Sequence, residues 1–133
     1  MNGLTTLFVT CSLALILLVG CGSGDPTATG PDCASSEWLS STAYQSFFDV
    51  QAAMDCYPME VSGRQGASEL EYQGVFAPFP NGAFQWRSVH GRLQADYEQR
   101  DATNQSLGFQ RSWLQSFTAL DGIVRFQATW TNP

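Results

Sequence analysis

Histidine occurs once in this 133-residue chain, at His90, so any chemistry that needs an imidazole has to be assembled around that position. A serine or cysteine nucleophile would have to stand against His90 with an orienting acid behind it. Neither Gly-x-Ser-x-Gly nor Ser-x-x-Lys occurs, and lysine is absent altogether. The plainer role for His90 is structural, hydrogen-bonding or capping at a strand-to-helix turn. Glu69 and Glu71 stand two apart and share one face of a strand, a geometry a glycosidase uses when the carboxylate separation suits it, but two such acids on a surface strand are ordinarily just solvated. One histidine leaves no zinc set, and neither an EF-hand spacing nor a glycine-rich phosphate loop is present. The residues therefore predict no catalytic group, no metal ligand and no cofactor. The alternative is a minimal hydrolase or carbohydrate-active domain built from Glu69, Glu71 and His90.

The other chemistry-bearing residues are the cysteines at 11, 21, 33 and 56. Leu4 to Val19 is an apolar run broken only by Thr5, Thr6, Thr10, Cys11 and Ser12, with no charged side chain. It is a little short of the roughly 20 residues a spanning helix needs. It stops at Leu18-Val19-Gly20-Cys21, which resembles the lipobox of bacterial lipoprotein signal peptides. That resemblance implies cleavage after residue 20 and acylation of Cys21, palmitate among the chains, since two or three acyl groups anchor firmly where one is marginal. The other readings are an ordinary secretory signal or an uncleaved anchor helix. A signal ordinarily opens on Lys or Arg; Met1-Asn2-Gly3 offers only the terminal amine. Residues 21–37, rich in Gly, Ser, Thr, Pro, Ala and Asp, read as a flexible linker. Cys33 and Cys56 then remain for a disulfide in an exported, oxidising setting, which requires the chain before a helix at about 41–54 to fold back along it. Otherwise Cys56 is a buried apolar residue and Cys33 is free.

The net charge is −6, and the six basic residues, all arginine, are dispersed among acids. A nucleic-acid surface needs clustered cations, so nucleic acid is not an expected partner. Laid against itself, the chain from 38 to 133 is internally repetitive. An offset of 53 pairs Tyr44 with Tyr97, Met54 with Leu107, Cys56 with Phe109 and Val61 with Leu114; one residue of slippage then pairs Tyr72 with Phe126 and Phe76 with Trp130. The units fall at about 39–90 and 91–133. Each predicts a helix followed by two strands. Tyr44, Phe47, Phe48, Gln51 and Met54 follow helical spacing behind an N-cap at Ser40 or Ser41, while Arg100 and Asp101 replace the two phenylalanines in the second helix and weaken its apolar face. Val124, Phe126, Ala128 and Trp130 alternate with polar residues, as in a half-buried strand. The expected class is α+β, a small antiparallel sheet with helices on one face.

His90-Gly91, Leu93, Tyr97, "GFQRSWLQS" at 108–116 and "VRFQATW" at 124–130, together with Tyr44, Asp49, "YPMEVSG" at 57–63 and "YQGVF" at 72–76, resemble the bacterial tandem repeat domain. This repeat of about fifty residues is found in exported bacterial proteins and ahead of β-lactamase-like serine hydrolases, including polyglycine hydrolases. The resemblance spans roughly 39–131. Asp55, where glycine is usual, and Arg100-Asp101 depart from it. It implies an accessory or interaction module whose chemistry resides in an attached domain. The chain thus reads as a lipid-anchored, exported protein on a bacterial cell membrane or outer membrane, with a non-catalytic binding or scaffolding domain directed at an envelope protein or glycan. Phe79, between Pro78 and Pro80 at an expected hairpin tip, is a candidate recognition residue; its other reading is packing under its own hairpin. Trp38, Trp86, Trp113 and Trp130 could line a sugar platform, although Trp86 and Trp130 fall at core-facing strand positions.

Overall fold

The computed structural model describes residues 31–132. A two-residue strand, β1 (Leu39–Ser40), leads into helix α1 (Ser41–Ala53), where the Ser40 hydroxyl accepts from the Ala43 N–H at 3.3 Å and satisfies one free donor of the first turn. Tyr44 and Gln51, seven residues apart on one face, are buried, with Phe47 and Phe48 half-buried beside them. The turn after α1 is made by Asp55 at φ 58°, and the corresponding turn after the second helix by Gly108 at φ 86°. This left-handed geometry suits glycine, and Asp is among the few others that adopt it singly. That accounts for the aspartate in the first unit.

Strands β2 (Cys56–Gln65) and β3 (Leu70–Pro78) complete a three-stranded antiparallel sheet in the order β1-β3-β2. Then β4 (Gln85–Arg92), α2 (Gln94–Ser106), β5 (Gln110–Thr118) and β6 (Val124–Asn132) form a second antiparallel sheet in the order β4-β6-β5. The α+β class holds, with two sheets in place of the one expected. Registers match between the units: Val61 opposes Gly74 as Leu114 opposes Ala128, Gly63 opposes Tyr72 as Ser116 opposes Phe126, and the ladders are interrupted at Met59 and at Ser112. The sequence break at about 90/91 falls inside β4, whose backbone pairs with β6, so by sheet membership the division lies in the 79–84 connection.

Residues 31–37, read above as the end of a linker, are tied down. Cys33 and Cys56 form a disulfide with Cα atoms 5.7 Å apart. The Ala34 N–H donates to Gln51 Oε1 at 2.9 Å, Ser35 bridges Val75, and Ser36 is buried against the Gly74 backbone. Physically this stretch continues β1 along β3, as the longer β4 runs along β6: Ser88 opposes Thr129 where Ser35 opposes Val75. Its small polar composition concealed an irregular segment held by a single bridge to β3 at Ser35 and by hydrogen bonds to Gly74 and Gln51. The signal segment 1–20, Cys21 and the rest of the linker lie outside the described residues.

Each helix packs on its own sheet, Tyr44 against Tyr72 with ring centroids 5.9 Å apart and Tyr97 against Phe126 at 4.9 Å. The first helix carries a second layer as well. His90 and Trp86 of β4 reach Tyr44 and Phe48, at 4.9 and 5.6 Å. β2 lies along the second unit, and its outer edge is closed by side chains: Trp113 Nε1 donates to the Val61 carbonyl at 2.9 Å, and Gln115 accepts from Gly63 N–H at 2.9 Å and donates to the Gly63 carbonyl at 3.1 Å. Gln127, fully buried, contacts Gln115 Oε1 and accepts from Gly91 N–H at 3.1 Å. This corrects the half-buried pattern expected for β6. Gln127 and Thr129, expected to face water, are as buried as Ala128 and Trp130 at 0 % exposure, because the strand is central and its polar face meets the other unit, while Val124 at its start remains exposed.

Two predictions follow from this packing. The Tyr44 hydroxyl is buried with no hydrogen-bond partner among the described residues, whereas the hydroxyl of its counterpart Tyr97 accepts from Arg111. Tyr44→Phe is expected to hold or raise stability, and Tyr97→Phe to lower it by about 1 kcal/mol, measured by urea unfolding of both variants. A Cβ at Gly63 would stand 2.5 Å from Phe117 Cε1 and 2.8 Å from Gln127 Nε2, so Gly63→Ala should destabilise by roughly 1–3 kcal/mol through overpacking. An unchanged unfolding midpoint would show that the seam between the units is looser than described.

Candidate functional site

The structure does not bring the three residues of the hydrolase alternative together. Glu71 receives Arg64 at 2.7 Å on the face of β3 opposite Tyr72, and successive strand residues point to opposite faces. Tyr72 is the neighbour whose ring meets His90, at 4.8 Å, so Glu71 points away from the imidazole. Glu69 is exposed in the β2–β3 turn. His90 is wedged between the rings of Tyr44 and Tyr72, and burial first, then the neighbouring Arg92 charge, pushes its pKa down to about 4. It is a neutral packing group in this setting. Its role is structural, as a wedge between rings and not as the cap expected at the turn.

Phe79 sits on the crossover between two sheets, not at a hairpin tip, because β3 and β4 pair in different sheets. It is half-buried; its ring meets Phe84 at 5.9 Å and its N–H donates to the Asp55 carbonyl at 3.2 Å, which places it largely under its own connection. Trp130 is fully buried, Trp86 is half-buried on Phe48, and Trp38 stacks under the Arg64 guanidinium at 4.2 Å. Arg64 thus covers one face of the Trp38 ring. Among the described residues no group of three or more His, Cys, Asp or Glu side chains could hold a metal ion, and no helix is long and apolar enough to cross a membrane.

A cleft of about 530 Å³ lies between α2 and β4, with Arg87, Ser88, Gln99, Arg100 and Asn104 on its walls and Trp130 at its floor. The same place in the first unit is filled: Phe47 and Phe48 lie against Phe76 with ring centroids 5.6 and 5.8 Å apart. In the second unit Arg100 turns to Asp96 at 3.0 Å, and Asp101 takes the Trp130 Nε1–H at 2.8 Å and Arg111 at 3.0 Å. The apolar lid is gone and a polar groove stands open. Asn104, buried at the position of Gln51, accepts from Arg87 Nη1 at 3.1 Å, and the Arg87 guanidinium lies 4.8 Å over the Phe109 ring. Reading the sequence did not single out Arg87 or Asn104. The available signal was the break of the apolar stripe at Arg100-Asp101.

Comparison with family models, with curated proteins and with solved structures found no match to this chain.

The wedge makes stability pH-dependent with a definite sign. Above about pH 6.5 the imidazole is neutral folded and unfolded. As pH falls towards 4 the unfolded chain binds a proton that the folded state does not, and stability drops by up to roughly 3 kcal/mol. Below about 4, where the folded imidazole also titrates, the loss levels off. His90→Phe should remove this component, so the gap in unfolding free energy between variant and wild type is expected to move in the variant's favour between pH 7 and pH 4.5. Parallel losses in the two proteins would contradict the wedge.

Proposed function

We propose that this chain is a lipid-anchored exported bacterial protein, held to the membrane through Cys21, whose folded domain binds or scaffolds at the cell envelope without catalysis and uses the α2–β4 groove to do so. The observation that carries the reading is the opening of that groove where the equivalent surface of the first unit is closed by Phe47 and Phe48. A helix face relieved of packing duty and relined with Arg100, Gln99 and Asn104 is suited to a polar partner. The lipobox-like Leu18-Val19-Gly20-Cys21 supports the anchor, and the Cys33–Cys56 disulfide fits an oxidising compartment. The resemblance to the bacterial tandem repeat domain supports an accessory role over an enzymatic one. Packing of His90 between two tyrosine rings and pairing of Glu71 with Arg64 weigh against the hydrolase alternative. An envelope protein or a glycan is the partner class in view.

Two measurements on the protein in its native membrane fraction test this. Intact mass should give an N-terminus at Cys21 carrying acyl chains, with Cys33 and Cys56 alkylated only after reduction; an unacylated chain with free thiols would remove the envelope from the proposal. A photo-crosslinker in place of Gln99, inside the groove, should form a discrete adduct that the same group in place of the exposed Gln45 on α1 does not. Equal labelling from both positions would dispose of the groove as the working surface.

A further inference from the structure

All six arginines of the chain lie among the described residues, and five of them, Arg64, Arg92, Arg100, Arg111 and Arg125, are within ion-pair distance of a carboxylate. Arg87 has no carboxylate within that distance among the described residues, and it stands on the wall of the α2–β4 cleft. It is also held in place without being neutralised: Nη1 donates to the buried Asn104 amide oxygen at 3.1 Å, and the Phe109 ring lies 4.8 Å beneath the guanidinium. A neutral amide and an aromatic face fix the orientation of a cation while leaving its charge unspent, and a guanidinium has five N–H donors in a rigid fork, of which Asn104 takes one. The nearby acid does not compete for it. Asp96, on the opposite wall, is shared between Arg92 at 3.5 Å and Arg100 at 3.0 Å, and Asp101 is engaged by Arg111 and Trp130. The cleft therefore carries a surplus of positive charge on a chain whose net charge is −6.

Resting on the reading of the groove as a binding surface, the geometry points to Arg87 as the receptor for a ligand carboxylate, taken bidentately by its fork while the rest of a small organic acid lies towards Val89 and Trp130. Fork-to-fork pairing is the geometry in which a guanidinium discriminates a planar carboxylate. The half-buried Val89 side chain is the apolar surface this cleft offers, and it favours a carboxylate with an organic body over a free inorganic anion. Unit one has no counterpart of this receptor: Ala34 stands where Arg87 does, and its backbone N–H, not a side chain, meets Gln51 Oε1.

The test uses the full chain, ¹⁵N-labelled in detergent micelles, with N-acetylalanine as the probe. Its amide and inorganic phosphate serve as controls at equal ionic strength. N-acetylalanine is expected to shift the Arg87 Nε and Asn104 side-chain signals saturably, with the amide and phosphate at least tenfold weaker. Arg87→Gln should weaken the acid more than tenfold, and Arg87→Lys, which keeps the charge but not the fork, severalfold, while Arg64→Gln leaves it unchanged. Signals remote from the groove report whether each variant is folded. If the amide shifts groove residues as strongly as the acid, or Arg87→Gln binds the acid as wild type does, the carboxylate receptor is overturned and the groove survives. If phosphate matches N-acetylalanine, the site is a simple anion site and the proposal fails. If no probe moves any groove signal, the groove reading falls with it.

Discussion

Insertion of His90 between Tyr44 and Tyr72 is the contact on which the rest of the molecule depends, because it is made by a strand of one unit against the helix and sheet of the other. A three-stranded sheet with one helix is a small thing to fold alone, with little apolar surface to offset its conformational entropy. The seam supplies what each half lacks. Three aromatic contacts at about 0.5–1.5 kcal/mol each beyond their buried area join Tyr44 to His90, Tyr72 to His90 and Phe48 to Trp86. Such a wedge works only if the imidazole stays neutral and the backbone can come close. Burial meets the first demand, and Gly91, at φ 64°, meets the second: a Cβ there would collide with the Tyr72 hydroxyl, so the strand can press its histidine home only with glycine behind it.

Beside the aromatic wedge runs a polar line, from Gly91 N–H through Gln127 and Gln115 to the backbone of Gly63. Two sheets meeting edge to face would leave the free backbone groups of β2 unpaired, and a buried unpaired amide costs on the order of 1–3 kcal/mol. Glutamine side chains act as surrogate backbone there, each presenting one donor group and one acceptor. The choice has a geometric reason: β2 and β5 occupy equivalent positions in their units and approach through side chains, so no regular ladder joins them. Glutamine reaches across where a main chain does not.

The fold class, both helices and the core positions Tyr44, Tyr72, Tyr97 and Trp130 were legible because they follow from periodicity within an element, whereas the N-cap was narrowed only to Ser40 or Ser41. What was not legible depended on the second unit. Gln127 and Thr129 carry the polar signature of a solvent face and are buried, since alternation says which residues share a face but not what that face meets. Residues 33–37 look like a tether because their hydrogen-bond partners lie on β3 and on Gln51, far along the chain. Phe79 was placed at a hairpin tip because adjacent strands usually pair, and here the chain leaves one sheet to start another. The groove was half legible. Arg100 and Asp101 stood out as a fault in an apolar stripe, but a fault reads as weak packing until the space it opens is seen.

That fault is better understood by asking what the same positions do on each side of the seam. Phe48 meets Trp86 of the following unit, and its counterpart is Asp101; Gly63 receives Phe117, and its counterpart is Ser116. On the opposite outer face, Phe117 and His90 correspond to Arg64 and Glu37, and Arg64 is taken up by Glu71 and Trp38. Neither outer surface repeats the chemistry of the inner one. Charged side chains are the usual deterrent to pairing at an exposed sheet. At α2 the two positions divide these roles: Asp101 stands where Phe48 meets the following strand, and Arg100, standing where Phe47 covers Phe76, lines the groove beside β4. Withdrawal of the apolar face at Asp101 and opening of the cleft at Arg100 are adjacent changes on one helix, so restoring Phe at 100 would act on the cleft and restoring it at 101 on the outer face.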